Sequence, residues 1–410
     1  MKALVLSGGG AKGAYQLGAW KALKKLKINF DIVTGTSIGA VNGLFIVENK
    51  YHTLKKLWLK KDMYKYFGED LQKLNDKKKA FKIYKNNLLT GTGIDTDKFE
   101  QIIKKNIDID KIYESNIKYG LVTYNLSSKK PETITKEVKH KKDIVDYAIA
   151  SASAFPILEP KEIKNKKYID GGYYDNLPIN LAIDLGADEV IAVDLEAIGI
   201  KRNTKDKKTH VTLIKPQIDL GDIAVFDKAI NRRNYRLGYN DTMKVFKKLD
   251  GDYYTFKKND LKKNYERYKD NFSYVLKRRL GINNKRVISE LNNIPIYQRL
   301  FDNSFDDFLT MNNSLEYLGQ VFELPIEIIY DIKLFNHVIR IKYANNNDKD
   351  LIKLNSIKKL DLKNVVNKKQ VVKTIYTYLL SPVEFHKELY ELSILFPKEY
   401  MAAIYLYTII

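Results

Sequence analysis

Residues 35–39 read Gly35-Thr36-Ser37-Ile38-Gly39 and sit between a strand-like and a helix-like stretch. Phe30-Asp31-Ile32-Val33 before them has the character of a strand end, and the apolar run 40–47 that of a buried helix. A Gly-x-Ser-x-Gly at such a junction constrains the chain severely, because the tight turn lifts a serine hydroxyl clear of the backbone. Gly35 and Gly39 stand where a Cβ would crowd the turn or the neighbouring strand. The turn also leaves Ser37 beside the first amides of a helix, where partial positive charge favours a developing anion. Five residues alone are equally compatible with a plain strand–helix turn.

The first half of the chain alternates strand-like and helix-like patterns. Residues 3–6 are a short continuous apolar run, as a strand buried on both faces requires. Residues 13–26 follow with Leu17, Trp20, Leu23 and Leu26 at helical spacing. Residues 119–124, 190–193 and 211–214 read as further strands, and 99–105 and 144–150 as helices. This alternation predicts an α/β layered sheet. Residues 50–90 read as a lysine-rich helical insertion with interleaved Trp58, Tyr64, Tyr66, Phe67, Phe81 and Tyr84. It serves either as a lid or interfacial face, or as a solvated excursion with its aromatics packed inward. From about residue 255 the alternation fades, and 305–309, 318–328 and 371–380 are amphipathic, with a loop at 345–348. A mainly helical second domain follows, dividing the chain into 1–255 and 256–410. The second part carries no legible chemistry.

A glycine cluster, Gly8-Gly9-Gly10-Ala11-Lys12-Gly13, comes directly after the first strand. With Asp31 some way downstream it satisfies the dinucleotide-binding fingerprint. Asp31, however, falls near the start of the second strand, where that fingerprint wants its acidic residue at the end. The alternative use of successive glycine amides at a helix start is an oxyanion hole, each donor contributing about 3 kcal/mol. A third cluster, Asp170-Gly171-Gly172, follows Lys167-Tyr168-Ile169 at a strand end. Asp170 is either a turn residue or a base able to approach another backbone closely. The histidines, His52, His140, His210, His337 and His386, have no persuasive context for a serine's base. His210 could satisfy the order Ser…Asp…His, but it lies in a polar lysine-rich stretch. A carboxylate acting directly on Ser37 is then the economical arrangement, with Asp170 the best candidate.

Taken together, these three clusters resemble the patatin-like phospholipase family, serine acyl hydrolases with a Ser–Asp dyad. The family's Gly-Gly-Gly-x-[Lys/Arg]-Gly matches residues 8–13, its Gly-x-Ser-x-Gly residues 35–39, and its Asp-Gly-[Gly/Ala] residues 170–172. Ser151-Ala152-Ser153-Ala154-Phe155-Pro156 is similar to its Ala-Ser-x-Ala-x-Pro element with the first two residues transposed, and Asn176-Leu177-Pro178 is also familiar. The resemblance covers about residues 1–250. It implies a three-layer sandwich on a mostly parallel sheet, Ser37 as nucleophile, Asp170 as base, and Gly8, Gly9 and Gly10 as oxyanion hole. Lys12, Gly13, Gly35, Gly39, Gly171 and Gly172 would support them, with no metal and no cofactor. The substrate would be a phospholipid or another acyl-ester lipid.

Composition bears on the partner. Lysine and arginine number 71 against 50 acidic residues, a formal charge of +21. That excess suits recruitment to an anionic membrane surface, basic residues clustered on nucleic acid, or lysines scattered over solvated faces. On a lipid-processing chain the membrane is favoured and nucleic acid disfavoured. A nucleotide-dependent enzyme on the Gly8–Gly13 loop and a non-enzymatic basic scaffold remain the alternatives. With no cysteine, thiol catalysis, disulfides and zinc–thiolate sites are excluded. No signal peptide or membrane-spanning run is apparent, and 401–410 reads as a docked terminal helix. The expected location is cytoplasmic or peripheral on a membrane, leaving a signal-independent export route open.

Overall fold

In the computed structural model, residues 1–60, 77–137, 141–279, 306–345, 367–381 and 387–410 are described. The expectations resting on Tyr64, Tyr66, Phe67, His140, His386, Phe305 and residues 346–348 lie outside them, as do the side chains of Phe81 and Tyr84. The chain divides into two compact units, Met1–Phe246 and Lys247–Ile410.

The first unit is built on an eight-stranded sheet in the order β5-β6-β3-β2-β1-β7-β8, with β4 paired to β3. The strands are β1 Lys2–Leu6, β2 Ile32–Thr36, β3 Lys118–Asn125, β4 Lys130–Thr135, β5 Lys161–Ile163, β6 Lys166–Asp170, β7 Glu189–Val193 and β8 His210–Ile214. Strands β3, β2, β1, β7 and β8 run parallel. β1, β2 and β7 are almost wholly buried, which is why they read as continuous apolar runs. Antiparallel β4, β5 and β6 extend one side. Helices α1 Ala14–Lys25, α2 Ile38–Val47 and α3 Tyr51–Leu59 follow the first two strands. Every residue of α2 is buried, as its uniformly apolar sequence requires. α1 packs backbone to backbone on the helix Lys228–Val245. A Cβ on Gly18 would stand 1.9 Å from the Tyr235 carbonyl oxygen, and one on Gly238 1.9 Å from that of Tyr15.

Phe30 and Asp31, read with Ile32 and Val33 as a strand end, precede β2, which begins at Ile32 and runs on to Thr36. Asp31 is held outside the strand, where its carboxylate accepts the Lys2 amide at 2.8 Å. Asp31 therefore lies at the N-terminal edge of the parallel strands, while the Gly8–Gly13 loop leaves the C-terminal edge. They cannot share one dinucleotide.

The second unit is helical, with six described helices, and also holds a three-stranded sheet that the sequence pattern did not reveal. Thr255–Lys257 pairs antiparallel with Leu249–Asp250 and parallel with Ile329–Tyr330. Those strands place the division of the chain ahead of the composition change near 255. The helix expected over 318–328 ends at Val321. Glu323 takes a left-handed φ of 52°, and Pro325 offers no amide to continue the ladder. The terminal helix Pro397–Ile409 is buried on all sides. Among the described residues, no helix is long and apolar enough to cross a membrane.

Buried Glu316 organises the start of this unit by accepting the amides of Asp252 at 2.8 Å, Tyr253 at 2.5 Å and Tyr254 at 3.0 Å. Glu316→Ala leaves three donors without a carboxylate and is expected to destabilise the unit by about 3 kcal/mol or more. Glu316→Gln, which keeps one acceptor oxygen, should lose less. Urea unfolding followed by tyrosine fluorescence checks both; equal stability of all three proteins would remove this role from Glu316.

Candidate active site

The register of the sheet decides what meets at its centre. β2 ends at Thr36, opposite Val122 of β3, and the chain then turns at Ser37. β4 occupies the other side of β3, so the position vacated by β2 is free at the next residue, Thr123. β6 enters there from the opposite direction and sets Asp170 opposite Thr123. Two strand ends thus abut on one edge of a third strand. The Ser37 hydroxyl is thereby brought beside the Asp170 carboxylate, near enough to favour its ionised form.

The turn at Ser37 has φ 56° and ψ −130°, a conformation that side chains rarely adopt. It persists because its surroundings fix it. A Cβ on Gly35 would lie 2.4 Å from the carbonyl of Gly39, and one on Gly39 2.4 Å from that of Leu6. The Ser37 amide donates to Ser151 Oγ at 2.8 Å, and that hydroxyl donates to the Val122 carbonyl at 2.6 Å. In the same segment the Ser153 carbonyl accepts the Asp170 amide at 2.9 Å. Ser151 and Ser153 thus brace the two strand ends, a role that the transposed Ser-Ala-Ser-Ala motif did not disclose. Gly171 permits the approach of Asp170, since a Cβ there would come within 2.1 Å of the Val122 carbonyl.

Ser37 and Asp170 are 6% and 8% exposed. Burial pushes the Asp170 carboxyl up from 3.8 to about 6, against the opposing pull of the Ser37 hydroxyl and of the hydrogen bond from the Gly172 amide. The latter is 2.7 Å long. At neutral pH the group is therefore ionised, yet basic enough to take a proton.

The glycine loop divides. The Gly8 amide already donates to the Asn176 carbonyl at 3.0 Å, so it is not available to an oxyanion. Gly8 instead gives room: a Cβ on it would be 2.9 Å from Ser37 Cβ and 2.3 Å from Asn176 Oδ1. Gly9 and Gly10 line the cavity beside Ser37, and their amides have no acceptor among the described residues. Gly10 holds φ +52°, with the Ile223 carbonyl 2.2 Å from where a Cβ would stand. Lys12 is drawn away to Asp219, at 3.7 Å, and is not part of the cavity wall. Gly13 makes room for Trp58 and Ile38. Asn176 is the residue that sequence reasoning named without a role. Its carboxamide packs among Gly8, Gly172 and Gly199 and faces the same cavity.

That cavity holds about 700 Å³ and reaches Ser37 and Asp170 between walls that include Phe99, Phe155, Leu158, Ile223 and Phe226. It opens at the C-terminal ends of β1 and β7, where the connections of a parallel sheet diverge to opposite sides and leave a crevice. Asp170 is the one charged residue lining it among those described. His210 starts β8, opposite Glu189 at the N-terminal end of β7, a strand length of roughly 13 Å from the crevice. His210→Ala is expected to leave ester turnover within about twofold of the parent; a large loss would return a histidine to the site. Among the described residues, no cluster of three or more histidine or acidic side chains could hold a metal ion.

The family model described as patatin-like phospholipase matches residues 4–183. This stretch is a patatin-like phospholipase domain. Patatin-like phospholipase domain-containing protein 7 of Rattus norvegicus is 29% identical over 197 residues, 47% of this chain and 13% of that protein. Lysophospholipase nte1 of Aspergillus terreus is 32% identical over 201 residues, 48% of this chain and 12% of that one. The match thus spans about an eighth of either relative. Among solved structures, VipD from Legionella pneumophila aligns over 84% of this chain and 87% of its own, at 16% identity and a TM-score of 0.39. The patatin-like domain contains all three motifs, and the rest of the first unit closes it with β7, β8 and the helix Lys228–Val245.

Proposed function

We propose that this chain is a serine acyl hydrolase that cleaves fatty-acyl esters of phospholipids or lysophospholipids through an acyl-Ser37 intermediate. The observation that carries this reading is that Ser37 and Asp170 stand side by side at the base of an apolar cavity. Asp170 accepts the hydroxyl proton as Oγ attacks the ester carbonyl. The amides of Gly9 and Gly10, with the N-terminus of α2 behind Ser37, stabilise the oxyanion. Collapse of the tetrahedral adduct expels the alcohol, which takes the proton from Asp170. Water then attacks the acyl-serine, losing a proton to Asp170; collapse of this second adduct breaks the Oγ–acyl bond, Asp170 returns the proton to Ser37 Oγ, and the fatty acid leaves.

The cavity's size and lining support one acyl chain at a time. At roughly 30 Å³ per water-sized group, 700 Å³ holds about twenty such groups, enough for a single long chain and its ester. The name of the Aspergillus relative points the same way. Contact with an anionic membrane surface belongs to this proposal, supported by the basic excess of the chain.

Labelling with a fluorophosphonate probe followed by peptide mapping tests the reading. The expected result is a single adduct on Ser37, suppressed by excess lysophospholipid. A folded protein that takes up no probe, or takes it up elsewhere, overturns it.

A further inference from the structure

We propose that the loop after β7, residues 196–208, is the surface through which this chain docks on an anionic lipid bilayer, with Ile198 as its inserted side chain. The proposal rests on the acyl-hydrolase reading and says where that hydrolase meets its lipid.

Ile198 is 94% exposed and Ile200 56%, and Tyr173 beside them is 49% exposed. All three also line the cavity that contains Ser37. Single exposed apolar residues are ordinary, but these three form one rim at the mouth of an apolar cavity, where lipid chains would enter. The charge is segregated from that rim. The adjoining segment 201–208 carries Lys201, Arg202, Lys205, Lys207 and Lys208 against Asp206 alone. Lys207 and Lys208 are exposed and make no ion pair among the described residues. A surface with an apolar prong and a basic flank matches a bilayer with acyl chains below and anionic headgroups above. A protein partner is the poorer fit, because lysine is depleted at the centres of protein interfaces.

The loop is also held firmly enough to present this surface. The Ile200 amide donates to the Gly172 carbonyl at 2.9 Å, and the Asn176 amide to the Ile200 carbonyl at 2.6 Å. Lys201 pairs with Asp194 at 2.5 Å, and the Arg202 guanidinium lies 4.4 Å from the centre of the Tyr174 ring. These contacts fasten the loop to residues 172–176, directly after Asp170, and to the chain just past β7. Docking through Ile198 would therefore align the cavity mouth with the bilayer and leave the reacting pair in place.

The test uses the full chain carrying Ser37→Ala, so that lipids persist, and phosphatidylcholine vesicles with or without phosphatidylserine. In the Ile198→Trp variant, emission should shift to the blue on phosphatidylserine-containing vesicles. Ile198→Asp should lower partitioning about tenfold or more. Lys207→Gln combined with Lys208→Gln should lower it about 10- to 30-fold on anionic vesicles and leave binding to pure phosphatidylcholine unchanged. The same two lysine changes in the Ser37 chain should leave hydrolysis of a soluble short-chain ester unaffected. Unaltered vesicle binding by Ile198→Asp overturns the proposal. So does a change of oligomeric state in sedimentation without loss of vesicle binding, which would give the surface to a second copy. Vesicle binding tests docking, whereas soluble-ester hydrolysis tests the hydrolase reading, so the two can fail separately.

Discussion

Replacing Ser37 by alanine is expected to lower ester hydrolysis by roughly 10⁴-fold or more and to abolish fluorophosphonate labelling, with the fold retained. The substitution removes only an oxygen, and alanine meets the same backbone demand at φ 56°. The strain of the turn is held by Ser151 and the flanking glycines rather than by the hydroxyl. Stability should therefore stay within about 0.5 kcal/mol of the parent. Initial rates on a soluble ester, paired with thermal unfolding, give both readouts. Substantial turnover in a folded Ser37→Ala protein would place the nucleophile elsewhere.

Asp170→Asn is expected to lose activity and gain stability. The amide cannot take the serine proton, so turnover should fall by about 10³-fold or more. In the parent, kcat/KM should rise about tenfold per pH unit below the carboxyl's value of about 6 and level off above it. Stability runs the other way. Because burial raises this carboxyl from 3.8 to about 6, the folded state binds the proton more tightly than the unfolded chain. The stabilisation this gives is complete below pH 3.8 and is lost as pH rises through 6. Asparagine carries no such dependence. The variant should match the parent near pH 3.5 and exceed it by up to about 3 kcal/mol above pH 7. Urea unfolding across that range checks the sign. A variant that is less stable at pH 8 than its parent would mean that the carboxylate is not held in an unfavourable, reaction-ready state.

The parts of the site that depend on local backbone were legible in the sequence. Gly35, Gly39 and Gly171 announce close approaches because no other residue fits there, and the runs at 3–6 and 190–193 announce buried parallel strands. What was hidden depends on partners distant in sequence. That the Gly8 amide is occupied follows only from where Asn176 arrives, and no spacing within residues 8–13 reveals it. Strands β4 and β5 escaped a clear pattern because they lie at an edge, where lysines such as Lys130 and Lys161 are tolerated and alternation blurs, and of β6 only its end at Lys167–Ile169 was legible. The helix anticipated across 318–328 was misjudged because apolar spacing continued past Val321, while the chain itself turned at Glu323 and Pro325. In the second unit the hydrogen bonds from Asn264 to Tyr405, Tyr405 to Asn336 and Asn336 to Asn264 close a ring between three helices. Nothing in any one helix foretells it.

The abutment of β2 and β6 on one edge of β3 has a consequence for the birth of the protein. A ribosome delivers Ser37 early and Asp170 much later, after β3 and the antiparallel edge have been made. Until β6 slides into the place β2 leaves open, Ser37 has no Asp170 carboxylate beside it. Under the proposed mechanism a nascent or truncated chain is chemically silent towards lipid, and hydrolysis begins only when the sheet closes.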